Sequence, residues 1–163
     1  MVEHVSRSDR IALVVDDDVF VLSAMAELLT EEGYDVHTSS NGFSALRQAA
    51  EYTPAVILLD LVLPERSGGD VLTELRADPT TRDVAIVLVT GNPQFLTDAQ
   101  RAEADGVVVK PFDVDDLLQT VHRAVQRAST RRAEVVPVAA MSHREPASRQ
   151  RRPATARRTR GRR

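Results

Sequence analysis

Five short apolar runs punctuate the first 110 residues, and a helix-compatible stretch follows every one of them. The runs are IALVV (11–15), YDVHT (34–38), AVILL (55–59), VAIVLV (84–89) and GVVV (106–109). Four are apolar throughout and of strand length, and the second alternates. The stretches after them are residues 19–32, 43–52, 69–77, 94–104 and 114–128. The first of these sets Leu22, Met25, Leu28 and Leu29 at helical spacing and stops at Gly33, a natural helix end. The last sets Val114, Leu117, Leu118, Val121 and Val125 on one face. The fourth is the most weakly patterned. Strands that are apolar on both faces must be covered on both faces, and strict strand–helix alternation supplies the cover. The pattern predicts an α/β fold with a five-stranded parallel sheet. In such sheets ligands bind beyond the carboxyl ends of the strands.

Those ends carry the polar residues of interest. Asp16 and Asp17 follow the first run, Asp60 the third, Thr90 the fourth and Lys110 the fifth. Asp16, Asp17 and Asp18 are consecutive, and adjacent carboxylates raise one another's pKa, so the arrangement needs compensation. Asp18 stands where the first helix starts and reads as its N-cap. Asp16, Asp17 and Asp60 form an oxygen-only set, the kind that Mg²⁺ or Mn²⁺ accepts together with water and phosphate oxygens. A carboxylate can also carry a phosphoryl group, and Asp60, at the end of the central strand, is the candidate nucleophile. Lys110 is the only lysine among 21 basic residues, and as a compact charge it suits one phosphoryl oxygen. The Thr90 hydroxyl suits another. Taken singly, a strand-end aspartate is usually a cap and a lone lysine is usually solvated. Their convergence on one edge reverses those odds.

The stretches LVVDDD, LLDLVLPERSGGDVL, VLVTG and VVVKPF resemble, in order, the receiver domain of bacterial two-component response regulators. The resemblance covers residues 10–128. It implies a flavodoxin-like, doubly wound (βα)5 sandwich with strand order 2-1-3-4-5. It implies phosphorylation of Asp60 by a sensor histidine kinase or a histidine phosphotransfer protein, with no enzymatic activity beyond the chain's own phosphorylation and dephosphorylation. It implies Mg²⁺ held by Asp17, Asp60 and the backbone carbonyl of Val62, with Asp16 assisting. It also implies phosphate contacts from Thr90 and Lys110, a cis Lys110–Pro111 bond, and homodimerisation through the fourth and fifth helices. Three positions depart from the family pattern. Val107 replaces the aromatic residue three before the lysine. The span from Thr90 to Lys110 is shorter than usual, which predicts a short or displaced fourth helix. Val62 and Asn92 flank the phosphate position, and Val62 offers no group to orient water, so slow loss of the phosphoryl group is expected.

Charge divides the chain. Residues 1–130 hold 10 basic and 22 acidic side chains, and residues 131–163 hold 11 arginines against two glutamates. Residues 1–9 read as a flexible N-terminus and 129–163 as an arginine-rich, disordered tail. The tail shows no helix-turn-helix pattern, so a stand-alone receiver acting on an unknown output protein is expected. RQRRPATARRTRGRR (149–163) could instead bind nucleic acid or another acidic partner in a salt-dependent way, without aromatic residues to stack on bases. The blander reading is a solvated extension that can fold back on the acidic receiver. A receiver that serves only as a scaffold, without cycling phosphate, is the remaining alternative. The chain has no cysteine, which excludes disulfides and thiolate chemistry. No run is long enough to cross a membrane and no signal-peptide core is visible, so a cytoplasmic location with no membrane partner is expected.

Overall fold

Strands β1 (Ile11–Val15), β2 (Asp35–Ser39), β3 (Val56–Asp60), β4 (Ala85–Thr90) and β5 (Gly106–Val109) form one parallel sheet, seen here in a computed structural model. The order is β2-β1-β3-β4-β5, the order expected of the flavodoxin-like fold. The structure describes residues 10–134; the stretches 1–9 and 135–163, including the arginine-rich 149–163, lie outside the described residues. Helices α1 (Val19–Glu31), α2 (Gly42–Tyr52), α3 (Gly68–Ala77), α4 (Asp98–Glu103) and α5 (Val114–Glu134) connect and cover the strands.

Successive strand side chains point to opposite faces, and the core splits accordingly. Ala12, Val14, Val56, Leu58, Val87 and Val89 pack with Met25 and Leu29 of α1 and with Leu117, Val121 and Ala124 of α5. Leu13, Val15, Ile57, Leu59, Ile86 and Leu88 pack with Ala45 and Ala49 of α2 and with Val71, Leu72 and Leu75 of α3. The central strands are buried along their whole length, so a one-residue slip would exchange the two faces. Register is thereby fixed, and it sets Asp60 opposite Val89 and Thr90 opposite Val109.

Two helices differ from the sequence expectation. The stretch expected as one helix over 94–104 is a 3₁₀ turn at Pro93–Phe95 followed by the six-residue α4. Proline starts the turn, and Thr97 then restarts the chain as a helix. The Thr97 hydroxyl accepts from the Gln100 N–H while the Gln100 side chain accepts from the Thr97 N–H, a complete capping box. The fourth helix is thus short, as its shortened span predicts. Helix α5 runs six residues beyond 128, to Glu134, because its last turns are anchored. Asp105, buried just before β5, takes Arg131 on both carboxylate oxygens, and Arg127 donates to its carbonyl. The same carboxylate accepts from Arg76 of α3 at 3.0 Å and from the Ile86 N–H of β4 at 2.9 Å. One buried aspartate therefore ties α3, β4, β5 and α5 together at the end of the sheet opposite the polar edge that carries Asp60. Among the described residues, no helix is long and apolar enough to cross a membrane.

Candidate functional site

Strands β1, β3, β4 and β5 deliver polar residues to one edge. Asp16 is the first residue past β1, and its N–H donates to the Ser39 carbonyl at 3.1 Å, prolonging the pairing with β2. That alternation turns Asp16 inward, fully buried, and leaves Asp17 exposed. One carboxylate oxygen from each of Asp16, Asp17 and Asp60 lies within 4.8 Å of the others. Asp18 stands apart from this group. Its Oδ1 accepts from the Phe20 and Val21 N–H groups at 2.9 and 3.3 Å, which makes it the N-cap of α1.

Lys110 joins the cluster from β5. Its Nζ donates to Asp16 Oδ2 at 2.5 Å and to Asp60 Oδ2 at 3.2 Å. The following Lys110–Pro111 bond is cis, and the Lys110 N–H donates to the Thr90 carbonyl at 2.8 Å. The last β4 residue and the lysine are thus bound through the backbone. Thr90 is buried, and its Oγ1 accepts from the Asn92 N–H at 3.0 Å. The other oxygen of Asp60, Oδ1, accepts from the Val62 N–H at 3.1 Å. The Val62 side chain is exposed, and Val107 packs into the core on the α3 side.

Burial pushes the Asp60 carboxyl above the usual carboxylate range. The Val62 N–H and Lys110 pull it back, and Asp16 adds to the rise. Burial acts to lower Lys110, but its bonds to Asp16 and Asp60 outweigh that, so it is held firmly as a cation. Lys110 bonds two of the three clustered carboxylates, Asp16 and Asp60, which leaves an excess of negative charge on hard oxygen donors. That donor set fits a small divalent cation such as Mg²⁺.

One site residue escaped the sequence reading. A Cβ built on Gly68 would lie 2.0 Å from the Asp60 carbonyl oxygen and 2.7 Å from Leu61 Cα. The Gly68 N–H donates to the Leu61 carbonyl at 2.9 Å. Helix α3, capped by Ser67, is therefore pressed directly on the strand end that carries Asp60. Gly68 lies within LLDLVLPERSGGDVL, a stretch that carries the family resemblance, but the sequence assigns it no role of its own. Gly68→Ala is expected to destabilise the fold by about 1–3 kcal/mol, because backbone rather than a side chain must yield. It should also slow any reaction at Asp60 by roughly 100-fold, the cost of misplacing a reacting group by about 1 Å. Thermal unfolding and the rate of acyl-phosphate formation check the two effects.

Comparison with known proteins points to one family. The family model of the response regulator receiver domain matches residues 12–122. The chain is 42% identical over 117 residues to the transcriptional regulatory protein KdpE of Mycobacterium tuberculosis, a match covering 72% of this chain and 51% of that one. The chain thus spans about half the length of that relative. Among solved structures, the response regulator TrrA of Thermotoga maritima, in complex with Mg²⁺ and BeF, has a TM-score of 0.65 at 33% identity, covering 71% of this chain and 98% of that one. The receiver domain of a sensor histidine kinase from Pseudomonas aeruginosa PAO1 has a TM-score of 0.66 at 26% identity, covering 72% and 98%. That structure has a magnesium ion coordinated in its active site cleft. By sequence model, relatives and fold together, the chain belongs to the response regulator receiver domain family.

Proposed function

We propose that this protein is a phosphorylation-dependent signalling switch that receives a phosphoryl group on Asp60 and acts through contacts with an output protein. The donor class is a sensor histidine kinase or a histidine phosphotransfer protein. Receiver domains of response regulators are signalling switches rather than classical enzymes, and they interact with histidine kinases and output domains. The observation that carries the reading is the setting of Asp60. One of its oxygens is fixed by the Val62 N–H, and the other faces Lys110.

In the transfer, an Asp60 oxygen forms a bond to phosphorus as the phosphorus–nitrogen bond of the donor histidine breaks. The bonding pair goes to the imidazole nitrogen. Lys110 stands where it can neutralise one phosphoryl oxygen, and Thr90 ends the neighbouring strand beside Asp60. Asp16, Asp17, Asp60 and the Val62 carbonyl would hold Mg²⁺ or Mn²⁺. Such an ion supplies positive charge against the developing charge of the phosphoryl group. Retention of all these residues disfavours a scaffold that never cycles phosphate.

Incubation with acetyl phosphate tests the proposal. Intact mass should rise by one phosphoryl group in the presence of Mg²⁺ and not in its absence, and fragment mapping should place the group on Asp60. No gain under either condition, or a gain elsewhere, overturns it. The group should then persist, because the apolar Val62 orients no attacking water. A half-life on the order of minutes or longer is expected where no partner or general base intervenes. Decay within seconds would show that another group activates water at this site.

A further inference from the structure

The negative charge of the described residues is polarised along the sheet. The loops after the five strands and the first turns beyond them (16–20, 40–45, 60–71, 91–98 and 110–117) hold ten carboxylates against Arg66 and Lys110. That is a net −8 out of −10 for residues 10–134. Three of the four phenylalanines crowd the same edge: Phe20 is 87% exposed, Phe95 74% and Phe43 56%. An exposed edge that is both acidic and aromatic matches one side chain above others. Arginine pairs with carboxylates and stacks on phenyl rings, and its methylene stem covers apolar surface. The edge already shows this contact, with the Arg66 guanidinium 5.2 Å from the centre of the Phe43 ring.

An arginine-rich segment lies within reach. Residues 135–163 carry nine arginines against one glutamate. Helix α5 starts at the acidic edge and delivers the chain to the other end, where Arg127 and Arg131 meet Asp105. A 21-residue helix is roughly 30 Å long. The fifteen residues from 135 to 149 can span up to about 50 Å. A flexible tether of this length gives an effective concentration on the order of a millimolar.

We propose that the segment 149–163 docks in cis on the acidic, phenylalanine-bearing edge around Asp60. The docking does not depend on Asp60 being the acceptor. Nucleic acid is the competing partner for the same arginines, and a second copy of this chain is the competing acceptor.

The absence of cysteine makes a single spin label clean. Ala156→Cys, carrying a nitroxide, is introduced into the full ¹⁵N-labelled chain. Amide signals of Asp17, Phe20 and Val62 are expected to lose at least about half their intensity against the diamagnetic label, and to recover near 0.5 M salt, where screening acts within a few ångströms. Replacing Arg151, Arg152, Arg157 and Arg158 with glutamine should restore them as well. Full intensity at the edge in low salt overturns the proposal. So does loss that arises only when labelled and ¹⁵N-bearing molecules are different chains, which assigns docking to a second copy. An edge that stays silent while added DNA duplex alone engages the tail transfers the arginines to nucleic acid. Phosphorylation of Asp60, followed by mass, is scored separately and can fail or succeed without altering these outcomes.

Discussion

Asp105→Ala is expected to lower the stability of the domain by about 3 kcal/mol, because it leaves buried arginine charge without its carboxylate. For a domain of this size that corresponds to a fall in Tm of roughly 10 °C. The partners explain the size. The Asp105 side chain is 4% exposed and the Arg76 side chain 16%, so neither is well solvated. Burial acts to lower the Arg76 pKa, and Asp105 is the largest influence that opposes it. Arg76 keeps its bonds to the carbonyls of Glu103, Arg82 and Val84, which limits the loss. The Ile86 N–H, buried in the sheet, loses its acceptor at the same time. Arg131 is a useful contrast, since its side chain is 38% exposed. Arg131→Ala should cost about 1 kcal/mol or less, as solvent-screened pairs do. Its effect should concentrate in the last turns of α5, where faster amide exchange after Ala128 would report fraying. Thermal unfolding of both variants decides the matter. An Asp105→Ala protein that melts with the wild type would show that the network is idle.

The contrast between Asp105 and Asp60 shows what a sequence exposes. Asp60 was legible because it ends an apolar run, and the sheet's edge follows from the alternation of runs and helices. Asp16, Asp17, Thr90 and Lys110 were legible for the same reason, and Asp18 because caps have a local signature. Asp105 also borders an apolar run, but at its start, and its partners lie 19 to 29 residues away. No local pattern announces contacts of that range. The end of α5 lacks a local signal for the same reason: its apolar stripe fades near Ala128, and the turns beyond are held by Asp105 rather than by packing. The α4 boundary does carry a local signal, since Thr97 and Gln100 are spaced as a capping box. Gly68 belongs to a stretch that carries the family resemblance, while its contact with the Asp60 backbone depends on how α3 docks.

Asp60→Asn is expected to abolish the phosphoryl gain entirely and, without added Mg²⁺, to raise Tm at pH 7. The amide oxygen is a far weaker nucleophile than a carboxylate, and the buried neighbour Asp16 is tied to Lys110. The stability effect follows from linkage. Burial, the largest influence, raises the folded-state pKa of Asp60 above that of the unfolded chain. The folded state then binds its proton more tightly, so stability is greatest at pH values below the unfolded pKa. It falls as pH rises through the window between the unfolded and folded values, and the deficit persists at neutral pH. Asparagine removes the deficit together with the repulsion from Asp16, while Lys110 keeps Asp16 as its partner. The Tm difference between variant and wild type should therefore shrink as pH drops toward 4 and disappear below the unfolded carboxylate value of about 3.9. Saturating Mg²⁺ should reverse the order at pH 7, since a ligand at 100 times its Kd stabilises the form that binds it by about 2.7 kcal/mol. A variant that loses phosphorylation and also melts below the wild type in metal-free buffer would contradict this account. It would mean that Asp60 holds the fold together through Lys110, and that the edge is a structural ion pair before it is a switch.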